Sequence, residues 1–342
     1  MTNFPLLRVI IIVTSVEFYF IVFTILLLLV LNQVIKYKNK RDEEIKRKIS
    51  SALLKAVEEE RSYTPDLLPT GRFKPEVLLL VIEDISSKFS GEHWENIKKI
   101  LLDKYLFSCT RKWAQDKRWL KRHFVARCFA LGAHKEDEDL IIKLLNDKVP
   151  LIRITAAISA IAIASVPLLL AFFDAMKKEP ERGRYAYRDA VLKGQSHIFS
   201  WIREQLKIEE DIAMRYIYLD ILGAKYDSFV LRYIHKDLQH KEDKLRLKAV
   251  KILTNFPTKE ALELFLPFLE DHYYLIRAEV IAVLPKIMGQ EALPILTKTM
   301  QDKSWWVRLQ AALGLKSLGN EGKSVLMKEE SQEVAKYVLS LP

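Results

Sequence analysis

Glycine and cysteine are scarce in this chain, and each shortage excludes a class of protein. The 342 residues include ten glycines and two cysteines, and no sustained run alternates apolar with polar side chains. The lack of alternation argues against sheets, whereas abundant Leu, Ile, Ala, Lys and Glu favour helices. Cys109 and Cys128 have neither the number nor the spacing of a disulfide framework or a zinc site. The sequence therefore predicts an all-α protein with two idle thiols in a reducing compartment.

Motifs of catalysis are also missing from the sequence. It has no phosphate-binding loop, dinucleotide fingerprint, nucleophile elbow or zinc-protease motif. The seven histidines are scattered along the chain. We therefore expect no catalytic residue, no cofactor and no metal site, and hence no enzyme.

The net charge of +10 comes from two short blocks. Residues 36–61 carry nine Lys or Arg against six Asp or Glu, and residues 104–127 carry eight against Asp116 alone. The rest of the chain is balanced. Because nucleic-acid affinity depends on many contacts between cations and phosphates, this balance argues against a nucleic-acid partner.

A long apolar run stands near the N-terminus. Residues 9–35 are apolar except for Glu17 and a few hydroxyl or amide side chains, and a helix of this length crosses a hydrocarbon core of ~30 Å. A cleaved signal peptide is the alternative, but its apolar region spans only ~7–15 residues and ends at a small-residue cleavage site. The sequence predicts a transmembrane helix at 9–35 after a short extracytoplasmic segment, 1–8.

The cations that follow this run set its expected orientation. The positive-inside rule places the basic segment 36–61 and all that follows in the cytoplasm, with the N-terminus outside. We expect a single-pass protein of a bacterial inner membrane. Glu17 is either a contact to a partner's membrane helix or a protonated or snorkelling side chain near the headgroups.

The remaining boundaries follow from periodicity and breakers. Residues 36–61 have the apolar spacing of an amphipathic helix. Residues 62–75 contain three prolines and a glycine, which predicts a linker. Residues 76–342 form the rest, beginning with two capping helices before residue 105.

Internal repetition is the strongest signal in the sequence. Seven arginines recur at intervals of 31 residues, namely Arg122, Arg153, Arg184, Arg215, Arg246, Arg277 and Arg308. Apolar or small residues follow three and seven positions after most of them, on one helix face, and a second apolar segment precedes each. A fixed period of this length predicts a solenoid of about seven helix pairs.

The stretch 302–319 resembles the HEAT-repeat motif. An Asp caps the second helix, a Val-Arg pair follows, and an Ala/Leu face ends in Leu-Gly; the stretches at Asp147 and Asp271 are similar. The period is similar to that of the compact bacterial HEAT-like subfamily named after phycobilisome lyases. The resemblance implies a right-handed α-solenoid over 76–342. We predict that the repeated arginines and Asp147, Asp271 and Asp302 form a structural ladder, in which Asp caps amides and Arg pairs with a neighbour's carboxylate.

The resemblance also suggests enzymes that share this fold. HEAT-fold di-iron hydroxylases carry repeated His-Glu pairs, which this sequence lacks. An activity similar to that of alkylpurine DNA glycosylases, suggested by Trp305, Trp306 and Asp302, or to that of phycobilin lyases stays as the alternative function. A common fold does not by itself imply a common activity.

Two surfaces are candidates for binding. In the first, cations interleave with aromatics beside the expected membrane, which predicts docking on anionic lipid headgroups or on a membrane partner; its residues are Arg111, Lys112, Lys117, Arg118, Trp119 and Lys121. The alternative is a solvated face whose aromatics lie in the core.

The second surface lies where the repeat departs most from the motif. Clusters of Arg and Tyr are typical of interface cores, and the cluster here comprises Arg182, Arg184, Tyr185, Tyr187, Arg188, Tyr216 and Tyr218. The alternative is a degenerate repeat with snorkelling arginines.

The predicted function is a cytoplasm-facing scaffold that positions a membrane-associated protein partner. Bacterial proteins of this layout resemble accessory subunits of envelope or polysaccharide assemblies. By that analogy alone, a membrane glycosyltransferase is the suggested partner.

Overall fold

The structure, a computed structural model, describes residues 4–59, 68, 74–328 and 333–341. These residues lie in helices and short connections, with no strand among them, which confirms the predicted all-α fold. The segment 1–3 and nearly all of the predicted linker lie outside the described residues. The chain forms two compact units, Met1–Ser159 and Ala160–Pro342.

The first unit begins with an exceptionally long helix. Its helices are α1 (Phe4–Glu58), α2 (Pro75–Lys88), α3 (Glu92–Leu101), α4 (Phe107–Trp113), α5 (Trp119–Gly132), α6 (Glu138–Leu145) and the first part of α7 (Pro150–Ile163). A π-helical turn, Leu102–Leu106, joins α3 to α4. Helices α2 and α3 occupy the place of the two predicted capping helices.

The predicted transmembrane and juxtamembrane segments form one continuous helix, α1. The C-terminal end of α1 buries Ile49, Leu53 and Ala56 in the first unit. The ammonium of Lys74, just before α2, lies 2.5 Å from the carboxylate of Asp42. The end of α1 is therefore part of the core of this unit.

The second unit repeats a simpler pattern of helix pairs. Its helices are α8 (Val166–Lys178), α9 (Glu181–Leu192), α10 (Ser196–Ile208), α11 (Ile212–Ala224), α12 (Phe229–Tyr233), α13 (His235–Leu238), α14 (Asp243–Leu253), α15 (Lys259–Phe265), α16 (Tyr274–Met288), α17 (Leu293–Thr299), α18 (Trp305–Ser317), α19 (Asn320–Lys328) and α20 (Glu333–Ser340). Each second helix of a pair carries a repeated arginine in its first turn, so every pair begins in the same register.

Two helical stretches of the described residues are long and apolar enough to cross a membrane. Tyr274–Thr299, which comprises α16 and α17, has a mean hydropathy of 1.3 and contributes buried side chains such as Val280 and Leu296 to the second unit. Glu17–Glu58 has a mean hydropathy of 2.5, and none of its most apolar stretch is buried. An N-terminal stretch of this kind is also found in signal sequences.

The repeated arginines bond to the turn that precedes their own helix. In five of them Nη1 donates to the carbonyl oxygen six residues earlier; these are Arg122, Arg153, Arg246, Arg277 and Arg308. These bonds satisfy carbonyls that the turn would otherwise leave open.

Three of the arginines also reach the aspartate that lies 25 residues further on. Arg122 pairs with Asp147, Arg246 with Asp271, and Arg277 with Asp302. Each aspartate in turn accepts a backbone amide two residues later, at Val149, Tyr273 and Ser304. One guanidinium thus joins the turns of two consecutive repeats.

The other repeated arginines differ in their carboxylate partners. Lys178 and His240 stand 25 residues after Arg153 and Arg215, where the regular repeats have an aspartate. Arg215 instead forms a buried pair with Asp237, 2.9 Å away. Arg184 donates to the carbonyl oxygens of Lys177 and Glu179.

Candidate partner-binding groove

Three consecutive second helices of the second unit, α9, α11 and α14, line a groove of about 450 Å³. Its walls are formed by Glu181, Arg184, Tyr185, Arg188, Ala213, Tyr216, Ile217, Asp220, Lys248, Lys251, Ile252 and Asn255. Four of the side chains predicted for the partner surface are therefore in this groove. The wall alternates charged side chains with aliphatic and aromatic ones.

The 31-residue period explains how these residues come together. Tyr185 and Tyr216 are one period apart, as are Asp220 and Lys251. Residues one period apart occupy the same position on neighbouring parallel helices of a stack. Ile217 and Lys248, which the sequence analysis missed, are also one period apart, so extending the register from the position after Tyr216 would have found Lys248.

Two ion pairs cross the groove wall. Arg188 of α9 bonds through Nε to Asp220 of α11, which links adjacent repeats. Lys248 of α14 lies 2.5 Å from Glu181 of α9, and this pair connects helices that are two repeats apart. Both partners of the second pair are half-exposed, so a ligand can displace it at little energetic cost.

The groove carries an excess of positive charge. Four of its lining side chains are cations, Arg184, Arg188, Lys248 and Lys251, and two are carboxylates. The hydrogen bond and charge of Lys248 lower the pKa of Glu181 below its usual range, so this carboxyl group is ionised at neutral pH. Lys251 also lies 3.3 Å from Glu279.

The structure corrects the prediction for two of the four tyrosines. Tyr187 is fully buried with its ring 5.2 Å from that of Phe172, and Tyr218 is buried 5.5 Å from the ring of Phe173. Side chains two positions apart on a helix point in nearly opposite directions, because each residue turns the helix by about 100°. Tyr187 and Tyr218 thus lie in the core and are excluded from a partner surface.

The other predicted residues of the cluster differ in exposure and in their position relative to the groove. Tyr185 is exposed in the groove, and Arg182 is exposed outside its lining. Tyr216 forms part of the wall, and its buried hydroxyl has no hydrogen-bond partner among the described residues. Burial raises the pKa of Tyr216, so the hydroxyl stays protonated at neutral pH.

The predicted docking surface of the first unit divides into two places. Arg111 bonds to Asp137 at 2.9 Å and borders, with Lys112, a depression that also contains His134. Lys117, Arg118, Trp119 and Lys121 lie instead at the turn and first helical turn of α5. Glu17 is exposed on α1.

Lys121 makes contacts within its own repeat. Its ammonium lies 4.4 Å from the ring centroid of Trp113 and 3.3 Å from Asp116. Arg118 bonds to the same carboxylate. Part of the cationic character of this surface is therefore neutralised locally by Asp116.

Within the described residues, no three His, Cys, Asp or Glu side chains come together as a metal site. Cys128 is fully buried, and its burial raises the pKa of the thiol, which suppresses the reactive thiolate. Burial also raises the pKa of Cys109.

Comparison with known proteins identifies the repeat type. Residues 231–316 match the family described as HEAT repeats. No curated protein sequence matches the chain.

Solved structures with similar coordinates share little sequence with this chain. The YibA protein of Escherichia coli is 15% identical with a TM-score of 0.43, covering 74% of this chain and 97% of that one. Human deoxyhypusine hydroxylase in complex with glycerol is 16% identical with a TM-score of 0.32, covering 72% and 98%. An engineered protein is 14% identical with a TM-score of 0.35, covering 85% and 87%.

The segment that matches the family contains the most regular part of the ladder. It includes Arg246, Arg277 and Arg308, the carboxylates that the first two bind, and α14 of the groove. Residues 231–316 thus match HEAT repeats, as the motif around Asp302 predicted.

Proposed function

We propose that this protein is a membrane-anchored scaffold whose groove binds an exposed segment of a protein partner on the cytoplasmic side of a bacterial inner membrane. The observation that carries the proposal is the groove itself, which three consecutive repeats line. Its surface presents the exposed Tyr185, Lys248 and Lys251 and the partly exposed Arg184 and Arg188. Interfaces are enriched in Tyr and Arg, and an elongated groove accommodates several side chains of one peptide segment.

The exposed apolar side chains of α1 support the anchor. Phe18, Phe23 and Leu28 are each more than half exposed on this helix, and their neighbours are similarly apolar. A contiguous apolar surface of this size is stable only against lipid or another protein. The continuation of α1 into the core of the first unit argues for retention of the helix, since Ile49 and Leu53 hold its far end.

The chemistry of the groove favours binding over catalysis. Arg188 and Asp220 neutralise each other, and Lys248 neutralises Glu181, so the acidic and basic groups of the wall hold one another in place. These pairs offer donors and acceptors to a peptide backbone and to charged side chains. The excess of cations favours a partner segment with acidic residues.

Site-specific crosslinking tests the groove as the partner site. A photoreactive phenylalanine analogue replaces Tyr185 in the full chain, which is expressed and irradiated in bacterial cells. We expect one dominant adduct with an integral membrane protein, identified by mass spectrometry. Adding Arg188→Ala should reduce its yield at least several-fold, since the wall loses its link to Asp220.

The matched control carries the same analogue at Ile208, which is exposed at the end of α10 and lies outside the groove lining. Equal labelling of the same protein from both positions would contradict the groove as the site. Alkaline carbonate extraction tests the anchor separately. Release of the intact chain into the supernatant would exclude a membrane-spanning α1.

A further inference from the structure

A compact set of apolar and basic side chains lies at one edge of the first unit. Trp119 is 45% exposed, Leu120 is 64% exposed, and Leu151 is 49% exposed. Exposed cations stand beside them. We call this set the basic-apolar edge; it comprises Lys117, Arg118, Trp119, Leu120, Lys148 and Leu151.

Arg122 holds the two halves of this edge together. Its guanidinium donates to the carbonyl oxygens of Asp116 and Lys117 in the turn before α5. The same group binds Asp147 in the turn before α7, with Nη2 3.0 Å from the carboxylate. The turn that carries Lys148 therefore lies directly beside the turn that carries Lys117, and the apolar residues that follow each turn form one surface.

The contacts of α1 and α2 fix the direction in which this edge faces. Lys74, before α2, pairs with Asp42 of α1, and His93, after α2, lies 3.3 Å from the carbonyl oxygen of Ala56. Helix α2 thus runs beside α1 in the same direction, away from the apolar run at 9–35.

The next two helices return the chain towards that run. The indole of Trp94 in α3 donates to Ser86 of α2, which shows that α3 folds back along α2. Helix α5 is antiparallel to α4, since Phe107 contacts Phe129 at 5.9 Å and Trp113 contacts Phe124 at 5.4 Å. The turn between α4 and α5 therefore lies at the end of the unit that faces the apolar run.

The length of α1 places this end close to a bilayer. Asp42 is seven residues beyond Ile35, which corresponds to a rise of ~10 Å along the helix. The headgroup layer on each side of the hydrocarbon is roughly 5–8 Å thick. An indole that projects from the first unit towards the apolar run, starting at the level of Lys74, can therefore reach the headgroup layer.

The residue types at this edge fit an anionic membrane surface. Trp is favoured at membrane interfaces, and each cation near anionic lipid adds to the attraction. At the positions that correspond to Trp119 and Leu120, the repeats of Arg184 and Arg246 have Glu181–Arg182 and Asp243–Lys244, whereas those of Arg277 and Arg308 have Tyr274–Leu275 and Trp305–Trp306. The repeat fold therefore does not require apolar residues at these two positions.

We propose that the basic-apolar edge rests on the anionic headgroups of the bilayer that α1 crosses, with Trp119, Leu120 and Leu151 inserted among them. The inference rests on the membrane anchor of the proposed function. The contact adds a second point of attachment to the anchor. It holds the first unit in one orientation above the membrane.

Fluorescence quenching in nanodiscs tests the contact with the full chain. In a Cys109→Ser background, Leu120→Cys is labelled with an environment-sensitive fluorophore, while Cys128 stays buried. Discs contain phosphatidylcholine with or without phosphatidylglycerol, and headgroup-proximal nitroxide lipids serve as quenchers. We expect a blue-shifted emission and several-fold stronger quenching than for Lys135→Cys, an exposed position beyond the opposite end of α5.

Charge reversal distinguishes an anionic surface from bilayer proximity alone. Lys117→Glu with Lys148→Glu should reduce quenching of the label at position 120 in discs with phosphatidylglycerol. Lys88→Glu with Lys135→Glu, which changes the net charge equally at exposed positions at the opposite end of the unit, should leave it unchanged.

Two outcomes would overturn the proposal in different ways. Labels at positions 120 and 135 that are equally unquenched in discs with phosphatidylglycerol would exclude the contact while leaving the anchor intact. A chain that does not stay with the discs at all would contradict the anchor, and the proposed function with it.

Discussion

The repeats of Arg277 and Arg184 have the same helix pair but place their charged groups differently. In the regular repeat, Arg277 is buried and binds both its own turn and Asp302 of the next repeat. In the divergent repeat, Arg184 binds only carbonyl oxygens, and the carboxylate link passes to Arg188 and Asp220 on the groove wall. The ion pair that joins consecutive repeats thus lies at an interior turn in the regular repeat and on the groove wall in the divergent one.

The divergent repeat lacks an aspartate at the position that corresponds to Asp302. The residue 25 positions after Arg184 is Glu209, which lies 3.3 Å from Lys177 and accepts the amide of Asp211. A glutamate has one more methylene than aspartate, and here it is bound to other groups. In the regular repeat the ion pair lies at the turns that join the stack, whereas in the divergent repeat it lies on the groove surface.

The largest expected effect comes from removing the buried arginine of the regular repeat. Arg277→Ala should lower the free energy of unfolding by about 3–5 kcal/mol, because Asp302 loses its guanidinium partner in a largely buried site. Chemical denaturation of the full chain in detergent, followed by circular dichroism, measures the loss. The control is Arg308→Ala, which removes bonds to carbonyl oxygens at the end of the ladder and should cost about 1 kcal/mol. Equal losses of stability for the two variants would show that the ion pair of Arg277 and Asp302 contributes nothing beyond the bonds to carbonyl oxygens.

A smaller effect should depend on pH. Burial is the largest influence on Asp302 and would raise its pKa, but the bonds from Arg277 and the Ser304 amide together outweigh it, so the pKa lies below its usual range. A carboxyl group whose folded pKa is lowered stabilises the fold above its unfolded pKa of about 3.9 and loses this effect as the pH falls through the folded pKa. Asp302→Asn should therefore reduce stability by about 1–3 kcal/mol at neutral pH and flatten its decline below pH ~4.

Unfolding curves of the wild type and Asp302→Asn between neutral pH and pH ~3 measure this difference. The corresponding control is Asp220→Asn in the groove, which leaves the pair of Arg277 and Asp302 intact. Parallel pH profiles for the wild type and Asp302→Asn would show that this pair does not contribute to acid sensitivity.

Removal of the groove arginine should affect binding more than folding. Arg188→Ala breaks a pair whose side chains are partly exposed, so its cost should be about 1 kcal/mol, while crosslinking from position 185 falls at least several-fold. Thermal unfolding and crosslinking yield, measured on the same preparation, separate the two effects. A loss of stability as large as that of Arg277→Ala would make Arg188 a structural residue.

The smallest effect is expected for the ion pair that spans two repeats. Lys248→Ala should change stability by no more than ~0.5 kcal/mol, because both partners are largely exposed. Thermal unfolding is measured at low and at high salt. At each salt concentration, the midpoints of the variant and the wild type should nearly coincide. A larger destabilisation that salt abolishes would instead show that the pair fastens α9 to α14.

The sequence predicted the helix pairs well because each pair repeats the same apolar face and the same arginine. It predicted the groove only in part. Tyr185 and Tyr187 look equivalent in sequence. In the helix, however, Tyr185 points outward, whereas Tyr187 points into the core, where its ring contacts Phe172. Lys248 lies 67 residues from Glu181, and only the stacking of repeats brings the two together.

The junction at residue 36 was within reach of sequence reasoning, because helical apolar spacing continues on its far side. The change from apolar to charged residues marks where a bilayer would end, but it does not interrupt the backbone of α1. Whether a helix continues across such a change depends on the packing of its distant end. Here that packing involves Ile49 and Leu53, which the helical spacing of 36–61 placed on one apolar face; the sequence did not show what this face packs against.

The unbroken α1 also has a mechanical consequence. A helix that crosses a bilayer tilts when the hydrocarbon thickness changes, and a flexible tether would absorb that motion. Because α1 ends inside a packed core, the tilt of α1 in the proposed anchor would be transmitted to the first unit as a rotation of the whole unit. A change in membrane thickness would then change the orientation of the first unit and of any protein bound to it.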